Sequence, residues 1–472
     1  MTTILAINKM IGDVVWGPPM LLLLLGTGIL LSIMTAFIVI RKFGYIMVST
    51  LFKMFKKSGH GEGEVSAFQA VSTALAATVG TGNIAGVALA IAVGGPGAVF
   101  WMWISAIFGM TTKFSEVILA ITYRKKNQDG SFSGGPMYYI SRGLGYKWLA
   151  GLFATFAMIA SFGIGCMTQS NSIADALKAS FNVSPYVVGL VLAGLAAIVI
   201  LGGIKRIGQV TEKLVPLMAL FYIIGALTII VINYKEIPNA FGMIFKSAFT
   251  GHAAAGGFAG ATMMMALRNG LSRGVFTNEA GLGSAPIAHA AATTDHPVRQ
   301  GMWGVFEVFM DTLVICTMTA LVVLVSGTWD SGLQGAALTS AAFDEGFTGG
   351  KYIVSIGLTL FAFSTILGWS YYGEKCTEYI LGRKFVTPYR VVFICLVFVG
   401  AIGGLQSIWA ISDTLNGLMA IPNLIGLVLL SGVVVIMVKD FFKDPYKIRK
   451  SEEEYLEALP EKYKPRNLEK KF

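Results

Sequence analysis

A short stretch of glycine and small polar residues interrupts one apolar segment of this chain. Residues 77–83 read ATVGTGN and lie inside the apolar stretch 73–97. Two glycines and an asparagine are poor helix formers, and open backbone at membrane depth is tolerated only where it lines a cavity or is buried in protein. Freed carbonyls and amides are good ligands for a cation and for a carboxylate. The stretch therefore predicts a broken transmembrane helix with a binding site at its break.

The same arrangement recurs later in the chain. Residues 80–83 (GTGN) are matched by residues 281–284 (GLGS), and the Met-Trp pair at 102–103 is matched by the pair at 302–303. Both matches are about 200 residues apart and keep their order, which favours an internal duplication over chance. Paired glycine-interrupted segments in two halves of a membrane protein indicate a transporter binding site.

The elements that must position these segments are membrane-spanning helices. The composition is 55% hydrophobic and 13% charged, with a mean hydropathy of +0.69, whereas a soluble protein carries roughly 25% charged residues. We interpret the net charge of +10 as Lys and Arg in cytoplasmic loops. The expected surroundings are a lipid bilayer, and no nucleic-acid partner is expected.

The sequence predicts an all-α polytopic membrane protein with eleven transmembrane helices, because each apolar segment of about 20 residues can cross the hydrocarbon. Two of the eleven are broken helices, at 69–93 and 258–292. The other predicted spans are 18–40, 98–122, 148–176, 185–203, 214–232, 301–326, 352–372, 388–404 and 415–438. Four spans separate the broken helices, so these two cross in opposite directions. The prediction is a five-plus-five inverted repeat preceded by one extra helix.

This arrangement divides the chain into five parts. They are an extra N-terminal helix with a basic linker (1–68), a first repeat (69–232), an extracellular amphipathic connection (233–257), a second repeat (258–438) and a charged cytoplasmic tail (439–472). The tail is predicted to be solvated. Lys and Arg concentrate in alternate loops, and the positive-inside rule then places the N-terminus outside and the C-terminus in the cytoplasm of a cell-membrane protein.

Sequence motifs for other function classes are missing. The chain contains no CxxC, no HExxH and no GxxxxGK[ST], so we expect no enzyme, no ATP-driven pump and no organic cofactor. A channel would need a continuous polar pore, and none is visible in the sequence. A secondary transporter is the favoured function.

Three motifs make the chain resemble the alanine/glycine:cation symporters: residues 77–83 (ATVGTGN), residues 134–138 (GGPMY) and above all residues 277–290 (TNEAGLGSAPIAHA). The resemblance covers about residues 69–438. It implies a fold similar to the leucine-transporter class, with ten core helices in two inverted halves. It also implies uptake of a small neutral amino acid, alanine or glycine, with sodium as the coupling ion and protons in place of sodium in some members.

The resemblance implies one sodium site and suggests a second. Carbonyls of the first core helix and adjacent hydroxyl residues of the eighth would form the first site. Its ligands would be Ala76, Val79, Phe361, Ser364 and Thr365. Neutral carbonyl and hydroxyl oxygens are hard ligands that suit a hard cation. The second sodium site would use Thr78 and Asn83, but the ligand expected from the seventh core helix has no match.

A zwitterionic amino acid needs donors for its carboxylate and acceptors for its ammonium group. The amides of Thr81 and Gly82, at the positive end of the following half-helix, suit the carboxylate. Thr277, Asn278 and the carbonyls around Gly281 suit the ammonium group. Together these residues form the predicted substrate site.

Five further residues of this site have two interpretations each. Gly80 either opens the break or serves close helix packing. Gln169 bonds either the substrate or another helix, and Thr78 is either a ligand or a partner of its own helix backbone. Phe276 and Trp369 either form walls of the pocket or pack in the core.

Ionisable residues inside apolar spans are costly in lipid and usually functional. The candidates here are Arg268, Arg273, Glu279, Glu307 and Asp311. Mutual pairing, for example of Glu279 with an arginine, and proton relay are both possible roles. Lys113 and Glu116 are predicted to lie at the membrane interface.

Overall fold

The computed structural model describes residues 2–54, 61–250, 262–403, 406–449 and 451–466. Within these ranges the chain is almost entirely helical, and a small antiparallel sheet pairs Lys125–Lys126 with Phe132–Ser133. Eight of the described helices are long and apolar enough to cross a membrane, and the number rises to nine if one bent pair counts as a single span. The all-α polytopic membrane fold predicted from the sequence is confirmed.

The helices of the first half, in chain order, are α1 (Ala6–Met34), the bent pair α2 (Ala67–Thr78) and α3 (Gly82–Gly94), α4 (Ala98–Thr122), α5 (Lys147–Phe181), α6 (Pro185–Ile200) and α7 (Gly203–Ile232). Two short helices, Ile38–Arg41 and Phe43–Thr50, follow α1. The first overlaps the end of the predicted span 18–40, and the second lies in the region predicted as a basic linker.

The helices of the second half are α8 (Ile237–Thr250), α9 (Met263–Asn278), α10 (Pro286–His289), α11 (Pro297–Val325), α12 (Gly335–Gly346), α13 (Gly350–Leu381), α14 (Arg383–Ile402), α15 (Ala410–Leu429), α16 (Ser431–Lys443) and α17 (Glu452–Leu456). The predicted surface helix after the first repeat corresponds to α8.

The sequence predicts eleven spans, whereas only eight or nine of the described helices are long enough to cross a membrane. The helix α6 has 16 residues, and in the second broken segment α9 has 16 residues and α10 has four. A straight crossing needs about 20 helical residues, so none of these helices reaches that length alone. The last predicted span is also divided, because α15 ends at Leu429 and α16 begins at Ser431.

The two broken segments run in opposite directions. The start of the first lies beside the end of the second, where Val65 and Ala292 form a backbone bridge. The end of the first lies beside the start of the second, where a Cβ on Gly94 would be 3.1 Å from the Met265 carbonyl oxygen. The axes of α2 and α3 are bent by 50°. These observations confirm the predicted pair of oppositely directed, broken helices.

The loops that are rich in Lys and Arg meet at one end of the bundle, which we call the charged end. It comprises residues 123–146, 290–299, 374–390, 439–449 and 451–466, together with the acidic stretch 61–66. Arg383 pairs with Asp129, and Arg299 donates to the Pro445 carbonyl oxygen at 3.0 Å. The alternation of loops predicted from the sequence agrees with these contacts. Which side of the membrane this end faces stays a prediction.

The first part of the tail packs against the helix bundle. Tyr455 and Leu459 are only 1% and 3% exposed. Arg124, at the end of α4, donates to Glu452 at 2.6 Å and to the Ala292 carbonyl oxygen at 2.8 Å. The prediction of a solvated tail is therefore wrong for this region, because its few apolar side chains are buried between the charged loops.

His296 connects the tail to the start of α11. Its Nδ1 accepts a hydrogen bond from the Val298 amide at 3.1 Å, and its Nε2 lies 3.4 Å from Oδ2 of Asp440. The ring makes a tilted contact with the Phe441 ring and an edge contact with the Tyr455 ring. Burial lowers the pKa of His296 to about 4, and the neighbouring His296 lowers the pKa of Asp440 to about 2. Protonation of Nδ1 would remove the acceptor for the Val298 amide, so the fold holds the neutral ring.

We expect acid to destabilise this contact through His296. Its folded pKa lies below the usual value of about 6.5, so the unfolded chain binds more protons between about pH 6.5 and about pH 4, and the free energy of unfolding falls as the pH falls through that window. His296→Asn keeps an acceptor for the start of α11 and removes this titration. Its melting temperature in detergent should fall less than that of the wild type between about pH 7 and about pH 5. Equal losses in the two proteins would contradict this role.

Candidate functional site

The first break separates α2 from α3. The helix α2 ends at Thr78, and Val79 leaves the helical conformation with φ −76° and ψ 91°. The Asn83 Oδ1 accepts a hydrogen bond from the Gly80 amide at 2.9 Å. The asparagine side chain thus provides a partner for a backbone amide that the interrupted helix no longer satisfies.

The second break follows α9 and contains three residues with positive φ. They are Glu279, Gly281 and Gly283, with φ values of 55°, 93° and 84°. Glycine adopts this conformation at little cost, which explains the Gly-x-Gly pattern. The Asn278 Oδ1 caps the turn by accepting a hydrogen bond from the Ala280 amide at 3.0 Å. A glutamate in this conformation is unusual and marks the start of the break.

A small cavity lies where the two breaks meet. Its lining residues are Ala77, Thr78, Gly80, Thr81, Gly82, Ile164, Gln169, Phe276, Glu279, Thr365, Trp369 and Asn416. They come from both breaks and from α5, α13 and α15. All predicted substrate residues are among them except Thr277, Asn278 and Gly281.

The glycines of the first break allow close approaches across the cavity. A Cβ on Gly80 would lie 2.6 Å from Oγ1 of Thr365, and a Cβ on Gly82 would lie 2.9 Å from Cγ2 of Thr277. Both distances are shorter than ordinary van der Waals contacts, so a side chain would displace its neighbours. The bare backbone of the first break therefore faces α13 and α9 directly.

Three predicted substrate residues lie outside the cavity lining. The Thr277 hydroxyl donates to the Gly274 carbonyl oxygen of its own helix at 2.9 Å. The Asn278 Nδ2 donates to Oγ1 of Thr312 at 3.1 Å. The Gly281 amide donates to Oε1 of Glu116 at 3.1 Å, and its carbonyl oxygen accepts from Nδ2 of Asn423 at 2.9 Å. These groups are already satisfied by protein, because the chain turns away from the cavity after Glu279.

Gln169 offers an unused acceptor to the cavity. Its Nε2 donates to the Ile164 carbonyl oxygen at 3.0 Å, whereas its Oε1 is buried without a hydrogen-bond partner. Thr78 differs, because its hydroxyl bonds the Ala74 carbonyl oxygen of its own helix at 3.2 Å. Buried polar atoms are usually satisfied, so the Gln169 oxygen is a candidate ligand for a bound molecule.

Trp369 forms one wall of the cavity. A Cβ on Gly165, in the π-helical turn Gly163–Met167 of α5, would lie 2.3 Å from Cβ of Trp369. The indole ring also makes an edge contact with Tyr372, with ring centroids 5.7 Å apart. Trp369 thus packs in the core and lines the cavity at the same time, and π-helical turns of this kind are frequent at functional sites.

Four of the five predicted sodium ligands lie close together. The Ser364 Oγ is 3.1 Å from the Ala76 carbonyl oxygen and 2.8 Å from the Phe361 carbonyl oxygen. The Thr365 Oγ1 is 3.0 Å from the same Phe361 oxygen. The fifth residue, Val79, follows at the end of α2. The result is a group of neutral oxygens between α2 and α13.

Asp311 lies beside Asn83, where the sequence offered no ligand from the seventh core helix. The Asn83 Nδ2 donates to Oδ1 of Asp311 at 2.6 Å, and the Thr312 hydroxyl donates to its Oδ2 at 2.7 Å. Asp311 belongs to the π-helical turn Phe309–Cys316 of α11. An ionisable residue in an apolar span was the only sequence signal for it.

A second set of buried charges surrounds Lys113 and Glu116. Both side chains are fully buried, so their predicted interfacial position is wrong. The Lys113 Nζ pairs with Oε1 of Glu307 at 3.2 Å, and His289 Nε2 lies 3.0 Å from Oε2 of the same glutamate. These residues join α4, α10 and α11. In the described part of the chain, no group of three or more His, Cys, Asp or Glu could hold a metal ion.

Glu279 does not pair with an arginine as the sequence suggested. Its Oε1 accepts a hydrogen bond from the Trp369 indole at 3.1 Å, and its Oε2 accepts one from the Ser284 hydroxyl. Arg273 instead lies over the Phe276 ring at 5.5 Å. The carboxylate is left at the cavity wall, a position that sequence reasoning did not assign.

Comparison with known proteins gives a consistent result. A family model described as the sodium:alanine symporter family matches residues 1–455. The chain is 51% identical over 450 residues to the sodium/alanine symporter AgcS of Methanococcus maripaludis, covering 94% of this chain and 97% of that relative. Two Bacillus subtilis proteins are also similar. One is the putative sodium/proton-dependent alanine carrier protein YrbD, 41% identical with coverage of 91% and 90%.

The other is the probable sodium/glutamine symporter GlnT, 39% identical with coverage of 91% and 89%. Among solved structures, MhsT in complex with L-phenylalanine is similar with a TM-score of 0.49 at 11% identity, covering 80% of this chain and 99% of that chain. The whole-length family match and the identity to AgcS lead to one conclusion. The chain belongs to the sodium:alanine symporter family.

Proposed function

We propose that this protein couples inward sodium movement to the uptake of alanine or glycine by alternating access. Family membership supports cation-coupled amino-acid symport in a multi-pass membrane protein. The observation that carries the finer proposal is the cavity between two oppositely directed helix breaks. Discontinuous helices of this kind bind substrate and coupling ions at their broken ends.

The substrate carboxylate would bind at the start of α3. The first amides of a helix have no partner within it, and the helix dipole favours an anion there. The Gly80 amide already bonds Asn83, so the amides of Thr81 and Gly82 are the proposed donors. The ammonium group would lie toward Gln169, whose Oε1 lines the cavity and is buried without a hydrogen-bond partner.

The walls of the cavity favour a small side chain. Phe276 and Trp369 lie on two sides, and the close approach of Gly82 to Thr277 leaves no space beneath the break. The relatives carry names that include alanine and glutamine, so the preference within the family varies. We propose that the two aromatic rings restrict this chain to alanine or glycine.

The coupling sodium would bind between α2 and α13. The proposed ligands are the carbonyl oxygens of Ala76, Val79 and Phe361 and the hydroxyls of Ser364 and Thr365. Two of these carbonyl oxygens already accept hydrogen bonds from the hydroxyls. A cation would replace these bonds by direct coordination, since a hydroxyl can turn its proton away and present a lone pair.

A second cation would bind at Asn83 and Asp311. Thr78, the other residue predicted for this site, bonds its own helix. Asp311 supplies a carboxylate whose hydrogen-bond partners are the neutral side chains of Asn83 and Thr312. A buried carboxylate of this kind binds either sodium or a proton, which keeps proton-coupled symport as the second candidate function.

We further propose that the charged end faces the cytoplasm. The positive-inside rule places Lys- and Arg-rich loops there. The C-terminus would then be cytoplasmic and the N-terminus extracellular, in the cell membrane.

Transport by purified protein in proteoliposomes tests the proposed function. An inward sodium gradient should drive saturable uptake of labelled alanine, and glycine should compete. Collapse of the gradient with a sodium ionophore should abolish accumulation. Uptake that is driven by a proton gradient and does not depend on sodium would identify a proton-coupled symporter. Conductance without saturation would indicate a channel.

Thr365→Val tests the first sodium site. The substitution removes the hydroxyl and keeps the shape, so the sodium concentration for half-maximal uptake should rise at least about tenfold. Thr359→Val is a matched control on the same helix, because the Thr359 hydroxyl bonds only the Ser355 carbonyl oxygen at 2.7 Å. Identical sodium dependence in both variants would remove Thr365 from the site.

Asp311→Asn tests the second cation site. The variant keeps the size of the side chain and removes its charge. If sodium binds there, the sodium affinity should fall at least about tenfold, and if a proton binds there, the pH dependence of uptake should disappear. Asp175→Asn, on an exposed part of α5, is the control. A variant that keeps both the sodium affinity and the pH dependence of the wild type would exclude this carboxylate from coupling.

A further inference from the structure

Glu279 is the one ionisable residue among those that line the substrate cavity in the described part of the chain. It also has an unusual backbone conformation for a glutamate, with φ 55° and ψ 18°. Such strain in a residue other than glycine clusters at ligand-binding sites. The position of Glu279 therefore calls for a chemical explanation beyond helix termination.

The carboxylate of Glu279 has capacity for further hydrogen bonds. It accepts one bond from the Trp369 indole and one from the Ser284 hydroxyl. A carboxylate can accept about four, so a bound molecule can add its own donors. The other charged groups that face it are Lys113 on α4 and Glu307 on α11. These two already pair with each other at 3.2 Å.

Gln169 supplies the second, independent observation. Its Oε1 is buried, has no hydrogen-bond partner and belongs to the lining of the same cavity. The cavity thus has a neutral acceptor on α5 and a charged acceptor at the second break. A group with several donors and a positive charge matches this pair, and a primary ammonium has three donors.

We propose that Glu279 is the charged partner of the substrate ammonium group, with the Gln169 Oε1 as the neutral partner. This inference rests on the proposed function and specifies its substrate class. The site requires a free α-ammonium group, so hydroxy acids and N-acylated amino acids are rejected. The amides of Thr81 and Gly82 hold the carboxylate, and the two helix breaks bind opposite ends of one zwitterion.

The arrangement also gives Trp369 a second role. Its indole N–H holds Glu279 at the cavity wall, and its ring limits the space for the substrate side chain. One hydrogen bond thereby joins Glu279, the proposed partner of the ammonium group, to Trp369, which limits the size of the substrate side chain. Glu279 orients the substrate, and Trp369 positions Glu279.

Selectivity between alanine and lactate tests the proposal. Lactate carries a hydroxyl in place of the ammonium group. If Glu279 only packed against its neighbours, its substitution would weaken the binding of both ligands equally. Competition against labelled alanine uptake should show strong inhibition by alanine and little by lactate in the wild type. In Glu279→Gln the apparent affinity for alanine should fall about 10- to 100-fold, while inhibition by lactate should not weaken.

Two further variants complete the design. Glu212→Gln neutralises a partly buried carboxylate on α7 that does not line the cavity, and it should keep the alanine-to-lactate selectivity. Glu279→Asp keeps the charge on a shorter side chain and should retain part of that selectivity. Ligand-induced shifts in melting temperature provide the same comparison for any variant that binds without transporting.

The outcomes separate this inference from the proposed function. Suppose that the wild-type protein takes up alanine and that Glu279→Gln keeps the wild-type selectivity for alanine over lactate. That result would overturn the role of Glu279 alone. Wild-type protein that neither transports alanine nor is stabilised by it would overturn both. Loss of selectivity in Glu279→Gln, with selectivity kept in Glu212→Gln, is the result that we expect.

Discussion

Backbone amides and carbonyls cannot be left without partners in hydrocarbon, and this constraint explains most of the molecule. Two helices are interrupted where they meet at the cavity, so the structure must provide partners for both interruptions. Asn83 satisfies the Gly80 amide at the first break, and Asn278 satisfies the Ala280 amide at the second. The groups left over at the first break face the cavity. Because the breaks are only partly capped, backbone groups remain free to bind a ligand, and a binding site results.

The two breaks are related by topology but differ in chemistry. The first exposes the positive end of a half-helix and bare glycine backbone. The second places Glu279 at the cavity and directs the glycines that follow into a turn held by Glu116 and Asn423. An inverted repeat thus supplies the geometry twice, while divergence of the side chains makes one side suited to an anion and the other to a cation. A zwitterion needs this asymmetry.

The antiparallel, broken helices could be predicted because both signals are local. Apolar segments of membrane-spanning length and Gly-x-Gly interruptions can be seen in the sequence alone. The sequence left Gly80, Gln169, Phe276 and Trp369 with two interpretations each, the substrate site or packing between helices, and the cavity lining includes all four.

The missed features depend on contacts between distant segments. Asp311 reaches Asn83 through the π-helical turn Phe309–Cys316, and hydropathy carries no signal for such a turn. Lys113 is buried because Glu307 pairs with it across α4 and α11. The tail was mistaken for a solvated segment because its average charge hides the buried apolar side chains of Phe441, Tyr455 and Leu459. Pairing and burial of this kind require knowledge of which helix faces meet.

The proposed ion sites lie at different kinds of helix contact, and this difference bears on coupling. The contact of α2 with α13 is made by small residues, since a Cβ on Gly368 would lie 2.6 Å from Cβ of Ala77. Small residues do not interlock, so the hydroxyl bond from Ser364 to the Ala76 carbonyl oxygen supplies much of the order there. A cation that replaces this bond would tie the two helices more firmly. Asn83 and Asp311, in contrast, bond directly through their side chains. The two proposed sites therefore differ in chemistry: neutral carbonyl and hydroxyl oxygens meet between α2 and α13, whereas a carboxamide meets a carboxylate between α3 and α11.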